Sequence, residues 1–148
     1  MLKYLASALI LTACSTAFAA DTTPKDAATL PEMKVAQEAI KAKEWAKAIE
    51  NLESVLRADR FSADANSLMG FALRNSGKWD QSFRYYNEAL RLDAKHTGAH
   101  EYIGQAYLQR GNVIKAEEHL TKLTAICGTC DEAKSLATAL ADAKKNPK

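Results

Sequence analysis

Residues 63–96 read ADANSLMGFALRNSGKWDQSFRYYNEALRLDAKH, and residues 97–130 read TGAHEYIGQAYLQRGNVIKAEEHLTKLTAICGTC. Laid over one another, these two 34-residue windows agree where helix packing is decided. Position 8 is Gly70 in one and Gly104 in the other, and position 20 is Ser82 and Ala116. Small residues at those places let two antiparallel helices approach closely. Bulky residues hold positions 7 (Met69, Ile103), 11 (Leu73, Tyr107) and 24 (Tyr86, Leu120), with Ala89 and Leu123 at position 27. They fill the space between helix pairs. Gly77 and Gly111 share position 15, where a helix ends in a left-handed residue. Trp79 and Val113 share position 17, where a second helix starts.

Working outward, the same phase extends one window towards the N-terminus. Residues 29–62 place Val35, Ala36, Ala39, Ala48, Leu52 and Val55 at positions 7, 8, 11, 20, 24 and 27, with Trp45 at 17 and Lys43 at 15. Thr29-Leu30-Pro31-Glu32 reads as a capping box that opens the first helix. Past the third window, Thr129-Cys130-Asp131-Glu132 reads as another and opens a seventh helix. Ala133, Leu136, Ala137 and Leu140 give that helix an apolar stripe, and Lys144 and Lys145 suit its C-terminal end. A repeat array needs such a helix to cover its last apolar surface. The expected organisation is three helix-turn-helix units (29–62, 63–96, 97–130), a capping helix at 131–145 and a flexible tether at 20–28.

The pattern resembles the tetratricopeptide repeat, which has small residues at 8 and 20, apolar or aromatic residues at 11 and 24, and Ala at 27. Position 4 is Glu32, Asn66 or His100 rather than Trp, and position 32 is Arg60, Ala94 or Gly128 rather than Pro. The resemblance implies an all-α solenoid whose first helices line a concave groove. On that groove it places Met33, Gln37, Ser67, Phe71, Asn75, Tyr102, Gln105 and Gln109, with Lys34, Lys41, Asp64, Leu68, Arg74 and Glu101 beside them. The family's two-carboxylate clamp for acidic peptide C-termini would fall on Met33, Gln37, Leu68, Gly98 and Tyr102. None is basic, so that mode is expected to be absent. The chain also resembles small exported bacterial repeat proteins that end in a cysteine pair and an amphipathic helix.

Composition limits the function classes. Net charge is +2, with acids and bases interleaved and no basic block, which gives no case for nucleic acid. Met1-Leu2-Lys3, the apolar run Tyr4–Thr16 and the small residues Ala17-Phe18-Ala19 read as a signal peptide over residues 1–19, too short in apolar length to span a membrane. A competing reading takes Leu11-Thr12-Ala13-Cys14 as a lipobox, which would anchor the protein by acyl chains on Cys14. Both send the chain out of the cytoplasm, to the periplasm or beyond.

Cys127 and Cys130 form the one motif that hints at chemistry. A C-x-x-C near a helix start can be redox-active, but no βαβ pattern surrounds it, position 131 is Asp rather than a haem-ligating His, and no second cysteine pair supports zinc. A structural disulfide in an oxidising compartment is the plainer reading. His96 and His100 are read as turn and packing residues, not metal ligands. No nucleophile–base constellation stands out. The expectation is a protein-interaction module or adaptor that takes a peptide or a partner helix, with no cofactor and no catalysis. The alternative is a redox or redox-accessory protein working through Cys127 and Cys130.

Overall fold

The computed structural model describes residues 26–146; the expected signal peptide (1–19), the expected lipobox at Cys14 and the first part of the expected tether lie outside them. Seven α-helices follow one another: α1 (Pro31–Lys41), α2 (Trp45–Ala58), α3 (Ala63–Asn75), α4 (Trp79–Leu92), α5 (Thr97–Gln109), α6 (Val113–Cys127) and α7 (Asp131–Lys145). They pack as the pairs α1/α2, α3/α4 and α5/α6, and α7 lies against both helices of the third pair. Among the described residues there is no strand, and no helix is long and apolar enough to cross a membrane.

The repeat phase appears directly in the backbone. Trp45, Trp79 and Val113 are the first residues of α2, α4 and α6. Gly77 and Gly111 turn the chain between paired helices with φ of +83° and +75°, and Lys43 is forced into the same region at +59°. Gly70 lies so close to Tyr86 that a Cβ would stand 2.6 Å from its ring. Gly104 serves a different contact: a Cβ there would meet Leu136 of α7 at 2.6 Å, so its smallness admits the capping helix.

A second regularity spans the junctions between pairs. Asp59 and Asp93 each accept a backbone N–H two residues on, and Ser62 and His96 then cap α3 and α5 by accepting the N–H of Ala65 and Ala99. Cys127 and Cys130 stand at these two repeat positions in the third unit, and their sulfurs are joined at 2.04 Å. Where two junctions are closed by polar turn chemistry, the last is closed by a covalent bridge.

Both expected capping boxes differ from the structure. Thr29 belongs to a short 3-10 turn, Ala27–Thr29, and its hydroxyl donates to Asp26 O. Leu30 is the N-cap of α1, without a side-chain bond, and Pro31 starts the helix because its missing N–H needs no acceptor there. Cys130, not Thr129, caps α7, and Glu132 instead accepts the Thr97 hydroxyl at 2.9 Å. The tether also ends earlier than expected, because Ala27 is 1% exposed and packs with Leu30 in the first core cluster.

Candidate functional site

α1 touches α3, and α3 touches α5, so the first helices of the three pairs form one face. Aromatic rings cross it. Trp45 meets Phe71 edge-on with centroids 6.1 Å apart, Phe71 meets Tyr102 at 4.7 Å, and Tyr102 approaches the buried Tyr86 at 6.5 Å. Phe71 and Tyr102 stay half-buried. Each ring is held by its neighbours and keeps part of its area in solvent, so its rotamer freedom is already restricted.

A polar chain runs beneath. The Arg74 guanidinium lies 5.2 Å from the Phe71 ring centroid, and its two terminal nitrogens donate to Tyr102 O at 3.2 Å and Gln105 Oε1 at 3.4 Å. Its Nε finds no acceptor among the described residues. Gln105 donates in turn to Glu101 Oε1 at 3.0 Å and Ser135 Oγ at 3.3 Å. Burial raises the Glu101 carboxyl above its ordinary value. Burial likewise raises the Tyr102 phenol, and the neighbouring Glu101 charge adds to the effect.

The residues expected to line the groove divide into groups. Phe71, Tyr102 and Gln105 are brought together, joined by Arg74. Gln37 lines a cavity of about 240 Å³ whose walls include Ser67, Leu68, Gly98 and Tyr102. Asn75 and Gln109 are exposed at the C-terminal ends of α3 and α5, and Asn75 spends one donor on Phe71 O at 2.8 Å. Met33 is a correction: it is 3% exposed and packs with Ala27 and Leu30 in the core, while Val35, expected inside, is 36% exposed. The 3-10 turn covers the flank of α1 that carries Met33. Ser67 is also buried, at 1% exposure, and its hydroxyl has no partner among the described residues.

One buried polar pair lies between α5 and α6. His100 Nε2 sits 3.1 Å from Ala94 O, so that nitrogen carries the proton and donates. His100 Nδ1 is then the acceptor for His119 Nδ1–H at 2.9 Å, and the His119 ring stacks on Tyr107. Sequence reasoning read His100 as packing but did not pair it with His119, because the two are 19 residues apart.

Comparison with solved structures agrees with this arrangement. The Arabidopsis OM64 TPR domain superposes with a TM-score of 0.68 at 17% identity, covering 75% of this chain and 92% of that one. The fold is that of a tetratricopeptide-repeat domain. The first TPR of Spaghetti (RPAP3), bound to the HSP90 peptide SRMEEVD, gives 0.67 at 16% identity over 78% of this chain and 91% of that one. The Yersinia enterocolitica chaperone SycD, in complex with a peptide of the translocator YopD, gives 0.65 at 17% over 75% and 85%. No family model and no curated protein sequence matches the chain.

In this tetratricopeptide fold, four positions to which the resemblance assigned the carboxylate clamp (Gln37, Leu68, Gly98 and Tyr102) line the 240 Å³ cavity, and none is basic. The cysteine pair stands apart from the aromatic face, at the junction of α6 and α7.

Proposed function

We propose that the protein is an exported interaction module that holds a peptide segment or a partner helix against the α1–α3–α5 face and performs no chemistry on it. The observation that carries this reading is the ladder Trp45–Phe71–Tyr102. It is part-exposed, pre-packed and underlaid by the side-chain donors and acceptors of Arg74 and Gln105. Such a surface supplies apolar area at low entropic cost, and amide groups that pair with a peptide backbone in either direction. The peptide complexes known for structurally similar domains, RPAP3 with an HSP90 peptide and SycD with a YopD peptide, add support by analogy. The N-terminal signal pattern supports a periplasmic location, and N-terminal mapping of the exported protein decides between cleavage near Ala19 and acylation at Cys14.

The test is affinity capture by the tagged protein from envelope extract, repeated with Phe71→Ala/Tyr102→Ala. Captured partners should be lost, with binding weakened more than about tenfold if these rings are hot spots. Because the double variant removes packing as well, Asn75→Arg and Gln109→Arg, at exposed positions, provide a second arm that leaves the core intact. Retention of every partner by both sets of variants refutes the assignment.

A further inference from the structure

The cavity among Gln37, Asp64, Ser67, Leu68, His96 and Tyr102 has a chemistry of its own. Among the described residues its lining holds one carboxylate, that of Asp64, and no lysine or arginine. His96 accepts the Ala99 N–H through Nδ1, so the neutral ring carries its proton on Nε2, 3.0 Å from Asp64 Oδ1. That nitrogen has no aligned hydrogen-bond acceptor, so the contact with Asp64 is a close approach only. The Ser67 hydroxyl in the cavity wall is buried and unpartnered. A buried hydroxyl left without a partner costs about 1–3 kcal/mol, and a ligand that supplied one would recover it.

Two helix N-termini border the cavity, those of α3 and α5, and a bare helix N-terminus favours an anion. Here one amide at each end is taken up by its cap: Ser62 Oγ accepts the Ala65 N–H and His96 Nδ1 accepts the Ala99 N–H. Asp64 in the first turn of α3 further repels negative charge. The Tyr102 ring adds a π face, and Leu68 adds an apolar wall for an alkyl stem. The volume, about 240 Å³, is below that of drug-sized ligand pockets and suits a single side chain.

We infer that this cavity receives a primary ammonium group of the bound polypeptide, a lysine side chain or a free N-terminus, held between the Asp64 carboxylate, the Ser67 hydroxyl and the Tyr102 ring. The inference rests on the α1–α3–α5 face being the binding face and names the chemistry it selects. It reverses the charge preference of a carboxylate clamp at the same place in the fold.

The experiment is an NMR titration of the full chain with n-butylammonium chloride, with sodium butyrate and n-butanol as controls. Saturable amide shifts at Ser67, Leu68 and Gly98 with butylammonium, absent with butyrate, are the expected result. Asp64→Asn should weaken binding about threefold, as suits a mostly exposed carboxylate. Ser67→Ala should weaken it about fivefold, yet leave the free protein as stable as before or more so, which a merely structural serine would not do. Butyrate shifting these residues more strongly, or butylammonium producing no saturable shift there, overturns the inference. Two short peptides distinguish the sources: an acetylated, amidated Ala-Lys-Ala and an N-terminally free, amidated tri-alanine. Binding by either supports an ammonium site and says which kind it reads; binding by neither overturns it. Loss of partners in the Phe71/Tyr102 variant without any ammonium binding removes the cation site and leaves the interaction module standing. Ammonium binding with partners retained does the reverse.

Discussion

Acidification should weaken this protein chiefly through one ring. His119 is 7% exposed, packed between His100 and Tyr107, and its pKa is lowered from 6.5 to about 4. Burial is the main cause, followed by the neighbouring His100 and then Lys122, while Glu118 pulls the other way. Because the folded value is lower, His119 is neutral in both states above pH 6.5 and costs nothing there. Between pH 6.5 and 4 the unfolded chain binds a proton that the folded chain refuses, so stability falls as pH falls. At about 1.4 kcal/mol per pH unit the whole interval corresponds to roughly 3 kcal/mol, or about 2–3 after allowing for solvent screening of a ring near the surface. Against a total of about 5–15 kcal/mol for an ordinary domain, that is a large share. His100, also lowered by burial, acts in the same direction. Urea unfolding followed by circular dichroism at half-unit steps from pH 7 to 4 reads the effect in the native chain and in His119→Phe. Carboxylates titrating in this range are common to both and cancel in the difference. The native chain should lose about 2–3 kcal/mol more than the variant. Parallel profiles, or a ring titration by NMR with a midpoint near 6.5 in the folded protein, would refute the buried-pair account.

Two further outcomes concern packing and turns. Gly70→Ala should destabilise by about 2 kcal/mol and Gly104→Ala by about 1, because Tyr86 meets the new Cβ with a rigid ring whereas Leu136, equally buried, can rotate its methyls, and part of each cost is offset by the better helix propensity of alanine. Thermal melts of both variants check the order, and a reversed order would show that the α5–α7 contact is the tighter one. Lys43→Gly should stabilise by about 0.5–1 kcal/mol, since a left-handed conformation costs an L-residue about 1–2 and glycine's extra unfolded-state entropy returns part of that. A lower urea midpoint for Lys43→Gly would contradict it.

The 34-residue phase was legible in the sequence, and so were seven helices, the turns at Gly77 and Gly111 and the apolar stripe of α7 at Ala133, Leu136 and Leu140, though Ala137, expected in that stripe, is exposed; each depends on residue size and backbone freedom at a position in the chain. The site was legible only in part. Phe71, Tyr102 and Gln105 were assigned to one face by the family resemblance, with Phe71 and Gln105 at repeat position 9 and Tyr102 at position 6 of adjacent first helices. Met33, at position 5 of the first window, was assigned to the same face but is buried. It packs in the first core cluster with Ala27 and Leu30, where the Ala27–Thr29 turn meets α1, a contact with no periodic signal.

Periodicity carries information about faces, and it determined here how many helix pairs form and which residues turn towards one another within a pair. The choice of partner across a distance was decided by the folded chain alone. The His100–His119 bond, the Thr97–Glu132 bond that displaced a capping box, and the unpartnered Ser67 hydroxyl each arise from helices brought together across 19 residues or more, or from a pocket that no single helix contains. A local pattern records which side of a helix prefers to be dry. Which atom waits on the other side is settled only by close packing, where shifts of a fraction of an ångström make or leave unmade a hydrogen bond.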